Sequence, residues 1–181
     1  MTGVMLFCIA NEAKPFVHKA THNMPDNFSP FYIATSKASP KQRTDYKKKP
    51  DSPDFPCEFT STAECKDWLL HNQYSVNFIN QNIMFVADAR SAKDETLLAY
   101  TYCERTMRLG PNDEWVLPPM AQTWYEWRIR YRDALMFQVH LQDGELNETW
   151  SLFYLRAEET TDEDGVIDMD KATKIVSGEE V

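Results

Sequence analysis

Three arginines, Arg128, Arg130 and Arg132, recur at every second position of one stretch, with Trp124 and Glu126 on the same side of the alternation. On an extended chain such residues project from one face about 7 Å apart. Guanidiniums are planar forks that hold carboxylate or phosphate through paired hydrogen bonds. The face therefore reads either as the floor of an anion site or as a solvated ladder of ion pairs. Trp124 offers a planar ligand something to stack on. Glu126 is a candidate general base, and His140, next in chain after the basic stretch, is a second. A separate group, Asp88, Arg90 and Asp94, follows an apolar run. Asp88 is a third acid–base candidate and Arg90 a further anion contact. The plainer reading has Asp88 bonding turn amides and Arg90 pairing with Asp94.

These residue types suit acid–base chemistry without a cofactor, of isomerase, cyclase or lyase type, with an arginine holding the anion that develops. The chain has no P-loop, no GxGxxG after a strand, no GxSxG elbow and no zinc-spaced Cys/His set. No cofactor is expected. His18 and His22 stand four apart, but no third ligand is close and Pro25 follows. Thr160–Lys171 imitates a calcium loop, yet Lys171 stands where the bidentate Glu belongs. No metal is expected. Cys8, Cys57, Cys65 and Cys103 lack ligand spacing and read as reduced thiols.

A chain of 181 residues fits one domain with tails. Its 43% hydrophobic and 13% aromatic content supports a packed core. A net charge of −9 speaks against nucleic acid as a partner, whose binders are basic. The charge is uneven: six cations crowd Lys37–Lys49, and acids dominate from Glu158 onward. The apolar start, Val4–Ala10, is too short for a signal segment or a membrane span. A cytoplasmic protein without a membrane partner is expected.

The chemistry needs elements to hold it. Tyr125, Trp127, Ile129 and Tyr131 alternate with the charged set, so Trp124–Arg132 reads as a half-buried strand with its aromatic face on the core. Further strands are expected at Val4–Ala10, Phe31–Thr35, Ile83–Asp88, Thr96–Cys103, Trp115–Leu117, Ala134–Leu141 and Thr149–Leu155. Asn11–Pro30 is expected as a loop. Asp143-Gly144 marks a hairpin. Ser61-Thr62-Ala63-Glu64 has capping-box form and starts a helix over Thr62–His71, with Cys65, Trp68 and Leu69 on one face. Ser36–Pro56, rich in Pro and Lys, is expected as a long exposed, disorder-prone loop. The fold class is α+β: a mixed or antiparallel sheet covered by one main helix, over residues 1–155, followed by an acidic tail over 156–181.

Phe85-Val86-Ala87-Asp88-Ala89-Arg90-Ser91 with the Leu97-Leu98 strand opening, and Trp127-Arg128-Ile129-Arg130-Tyr131-Arg132-Asp133-Ala134, resemble two blocks of an uncharacterised family of small α/β proteins. The resemblance spans roughly residues 65–141. It implies a compact fold and supplies no activity. Two functions stay open: binding, with or without turnover, of a small anionic or aromatic organic ligand, and a non-catalytic interaction module or homo-oligomer.

Overall fold

The computed structural model describes residues 3–24, 29–39, 46–72, 79–104, 121–142, 152–154 and 156–179. The fold is α+β with a five-stranded mixed sheet. Strands β1 (Gly3–Cys8), β2 (Phe31–Ala34), β3 (Ile79–Ala87), β4 (Thr96–Cys103) and β5 (Thr123–Arg130) are ordered β2-β1-β3-β4-β5. The chain clusters into two compact units, Met1–Tyr100 and Thr101–Val181.

In the first unit, β1 runs parallel to both neighbours, Val4 opposite Phe31 and Met5 opposite Met84. Strands covered on both faces need continuous apolar sequence, and β1, β2 and the second half of β3 supply it: Val4–Cys8, Phe31–Ala34 and Ile83–Ala87 are all buried. A parallel neighbour requires a crossover. Residues expected as a loop provide the first one: a 3-10 turn at Asn11–Ala13 leads into helix α1 (Lys14–Asn23), with Pro15 in its first turn. Proline fits there because that amide has no helical partner. Phe16, Val17, Ala20 and Thr21 form the buried face of α1.

Helix α2 (Thr62–Asn72) matches its expected span within a residue. Ser61 Oγ accepts the Glu64 amide at 3.3 Å, while Glu64 reaches back to the Thr60 amide at 2.8 Å. The reciprocal arm of the cap is thus shifted one residue outward. From α2, Trp68 packs edge-on to Phe7 (5.8 Å between ring centroids), Phe59 (6.1 Å) and Tyr46 (6.4 Å). Its indole donates to the Lys37 carbonyl at 3.1 Å.

Those contacts anchor parts of Ser36–Pro56, whose described residues are otherwise mostly exposed, residues 36–39, 47, 51–54 and 56 among them. Lys47 bridges antiparallel to Ile33 on β2, Phe55 is buried, and Glu58 N donates to the Thr35 carbonyl at 3.1 Å. Residues 40–45 lie outside the described residues. Two aromatics of the stretch turn inward: Phe55 is buried and Tyr46 packs edge-on to Tyr32 and Trp68.

In the second unit, the buried members of β5 are Trp127 and Ile129, continued by Tyr131 in a 3-10 turn (Tyr131–Asp133). The expected strand at Ala134–Leu141 is instead helix α4 (Ala134–Gln142). Its buried residues, Ala134, Phe137, Gln138 and Leu141, follow helical spacing, whereas Leu135 and Val139 are only half-buried. Residues 152–154, expected in a strand, are helical. The expected Trp115–Leu117 strand and Asp143-Gly144 hairpin lie outside the described residues.

The expected acidic tail is folded. Helices α5 (Ala157–Thr160) and α6 (Met169–Ser177) flank a turn in which Val166 and Ile167 are buried, Met169 is buried at the start of α6, and Ile167 N donates to the Arg128 carbonyl at 2.8 Å. Asp168 caps α6 by accepting the Lys171 amide, and Gly178 closes it at φ +75°, a left-handed conformation that suits glycine.

Two measurements check this architecture. A methyl group at Gly3 would run into the Tyr32 ring and the Pro30 carbonyl. Gly3→Ala is therefore expected to lower stability by about 1–3 kcal/mol in urea unfolding, as overpacking does. Hydrogen bonds from Lys37 Nζ and the Thr60 amide hold the Glu64 carboxyl from its ordinary 4.5 down to about 2. A group whose pKa falls on folding contributes stability above its unfolded pKa and loses it as pH drops through the folded value. Between pH 4.5 and 2, Glu64→Gln should therefore lose less stability than the parent protein.

Candidate functional site

The arginine strand resolves into a mostly solvated face. Glu126, Arg130 and Arg132 are exposed, and Arg128 is half-buried. Arg130 Nη2 pairs with Asp162 Oδ2 at 3.1 Å. Arg132 Nε donates to the Tyr131 hydroxyl at 3.1 Å, and its guanidinium lies 5.5 Å from that ring's centroid. Trp124 is half-buried against Tyr102, 5.2 Å between centroids. The ion-pair reading gains a named partner in Asp162.

Asp162 does more than neutralise Arg130. Its Oδ1 accepts the amides of Asp164 (3.1 Å) and Val166 (2.9 Å), which closes the turn that brings Ile167 to β5. The calcium-loop lookalike thus uses its acids on its own backbone: Asp162 on the turn, Asp168 on the cap of α6.

His140 lies on α4, half-buried, with its ring 6.5 Å from Phe153. Phe153 in turn meets Trp127 (6.5 Å), and the Trp127 indole donates to the Phe153 carbonyl at 2.9 Å. His140 therefore sits on the Trp127 side of β5, whereas Glu126 projects from the other side. The structure does not join these two into an acid–base pair. The single large hydrophobic exposed among the described residues is Met136, at 50%, which is one side chain and no patch of the size that marks an interface.

Asp88 and Arg90 belong to the first unit. Asp88 Oδ1 accepts the Ser91 amide and hydroxyl, both at 3.0 Å, and the Ser91 hydroxyl accepts from the Asp88 amide. Arg90 pairs with Asp94 at 2.5 Å across the short helix α3 (Ser91–Asp94). Asp94 is held below the usual carboxylate range by hydrogen bonds from Thr96 and Arg90, against the opposing pull of its own desolvation. The plainer reading of both residues is what the geometry supports. His18 and His22 stack on α1 at 4.1 Å, with His22 Nδ1 against the His18 carbonyl at 2.8 Å. Among the described residues no group of three His, Cys, Asp or Glu is arranged to hold a metal ion.

What the sequence did not bring together lies where β1 and β2 end. Cys8 closes β1, Cys65 sits on the buried face of α2, and Cys57 comes from the segment that returns past β2. Cys57 Sγ lies 2.7 Å from the Cys8 carbonyl and 3.9 Å from the Ala34 carbonyl. Cys8 and Cys65 are buried and Cys57 is half-buried. Burial, aided by a charge on Cys57, pushes the Cys8 thiol up to about 12 and raises Cys65 in the same direction. Two of these positions are readable in sequence as core cysteines. Their convergence depends on how residues 46–59 fold back.

Beside the same end of β2 that segment leaves a groove of about 190 Å³. Ile33 and Phe55 form its apolar part, and Thr35, Lys47, Ser52 and Asp54 its polar rim. Lys47 is ion-paired with Asp51 four residues on, also at the groove.

The division of labour at Asp162 is measurable. Asp162→Ala should cost about 1–2 kcal/mol, since two turn amides lose their acceptor. Arg130→Ala should cost less than about 1 kcal/mol, because the pair is half-exposed. Equal losses in urea unfolding would assign the role to the ion pair instead. No protein-family model matches the chain, and neither a curated protein nor a solved structure is found to be similar to it.

Proposed function

We propose that the first unit binds a small carboxylate-bearing metabolite, zwitterionic in charge, in the groove between β2 and residues 47–56. The observation that carries this reading is the groove itself, a concave site with an apolar floor and both signs of charge on its rim. The groove flanks the carboxyl end of β2, the edge strand of the sheet, where the 47–56 segment supplies its second wall. Its 190 Å³ corresponds to about six waters at ~30 Å³ each. That is below the ~300 Å³ at which drug-sized sites begin, so the ligand is of amino-acid size.

The rim charges make the exchange inexpensive. Lys47 and Asp51 are largely exposed, so their pairing stabilises by no more than about 1 kcal/mol. A ligand carboxylate can take Lys47 while the ligand's ammonium takes Asp51 or Asp54. The arginine face of β5 is largely exposed, and its Arg130 is already paired with Asp162. Turnover is not assigned, since Glu126 and His140 lie on opposite sides of β5.

The test is a chemical-shift titration with free amino acids and with singly charged analogues of the same size. Shifts confined to Ile33, Thr35 and the 47–56 segment are expected with the zwitterions, with Kd near ~1 mM, worth about 4 kcal/mol. Thr35→Trp should fill the groove and abolish them while leaving the circular dichroism spectrum unchanged. Binding that survives Thr35→Trp, or no response to any zwitterion, overturns the proposal.

A further inference from the structure

The three converging thiols are a separate matter from the groove. We propose that Cys57 and Cys8 form an oxidation-sensitive site that a hydroperoxide converts to a reversible disulfide.

Three observations carry the pairing. Cys57 is the half-buried member, so an oxidant reaches it while Cys8 and Cys65 are shielded. Cys57 Sγ is seated directly on residue 8, at 2.7 Å from its carbonyl. Both buried thiols donate locally, Cys65 to the Ser61 carbonyl at 3.2 Å and Cys8 to the Ala10 carbonyl at 3.3 Å, so it is the seating of Cys57 on residue 8 that favours Cys8 as the partner, reached by rotation about its Cα–Cβ bond. With no metal-holding arrangement at these residues, sulfur–sulfur chemistry is what their proximity offers.

The steps balance. The Cys57 sulfur, as thiolate, attacks the terminal oxygen of the hydroperoxide. The S–O bond forms, the O–O bond breaks, and the alcohol (water, for hydrogen peroxide) leaves carrying the thiol's proton. The Cys8 sulfur then attacks the Cys57 sulfenic acid: the S–S bond forms, the S–O bond breaks, and hydroxide departs as water with the Cys8 proton. The two thiols lose two electrons and the peroxide gains them. The order of events follows from burial, since the thiolate is the nucleophile and desolvation keeps Cys8 protonated until Cys57 has reacted.

The experiment uses the full chain and hydrogen peroxide. Free thiols are alkylated after exposure, and linked peptides are mapped by mass spectrometry with and without dithiothreitol. The expected product joins the Cys8 and Cys57 peptides within one chain, is lighter by two hydrogens, and retains Cys65 and Cys103 as free thiols. Met136, half exposed, serves as the internal dosimeter for peroxide. Cys57→Ser should leave Cys8 and Cys65 fully alkylatable at the same dose. In Cys8→Ala, dimedone should trap Cys57 as the sulfenic acid; if that buried substitution fails to fold, Cys57→Ser and the peptide map still decide the outcome. Linkage of Cys57 to Cys65, a Cys57–Cys57 dimer between chains, or four intact thiols once Met136 is oxidised would each overturn the assignment.

Discussion

The Trp68 indole is the contact on which the first unit depends. It has a ring to bury and a single N–H to satisfy, and it does both by gathering segments far apart in sequence. Phe7 comes from the central strand, Phe59 from the approach to α2, Tyr46 from the proline-rich stretch, and the Lys37 carbonyl accepts its hydrogen bond. Aromatic pairs at these separations add about 0.5–1.5 kcal/mol each beyond their buried area. The groove beside β2 and the approach of Cys57 to Cys8 both exist because the 46–59 segment is held down in this way.

The second unit solves its packing with the same chemistry on a different scaffold. Trp127 projects from β5 into Phe137, Phe153 and Tyr154, at 5.6, 6.5 and 5.1 Å, and gives its N–H to the Phe153 carbonyl. Burial raises the Tyr154 phenol well above its ordinary value, so that hydroxyl stays protonated. In both units a tryptophan with one end apolar and one end hydrogen-bonded fixes a helical segment against a strand.

Much of this was legible in the residues. The alternation through β5 placed Trp127 and Ile129 inside and Glu126, Arg130 and Arg132 outside, since a strand's period of two leaves no other arrangement. The cap at Ser61–Glu64 located α2, and Thr96–Cys103 read as the strand it forms. The departures from expectation have two causes. Ala134–Leu141 satisfies both a two-residue and a helical period, and its helix-forming residues combine with burial at i, i+3, i+4 and i+7 to select the helix. The proline-rich stretch and the acidic terminus were judged by charge and composition. A few apolar side chains, Phe55 in one and Val166, Ile167 and Met169 in the other, were enough to anchor each. Thiol convergence has no one-dimensional signature, because it depends on a fold-back that brings residue 57 to residue 8.

The parallel bridge between Ile129 and Ile167 changes how the chain's charge should be regarded. It carries the C-terminal segment alongside the basic strand, so that Arg130 meets its counterion, Asp162, within the same unit. A polyanion approaching β5 would have to displace Asp162 from both Arg130 and the turn amides it holds. One carboxylate thus serves two structures at once, and removing the C-terminal segment would strip Arg130 of its counterion together with the turn that pairs with β5.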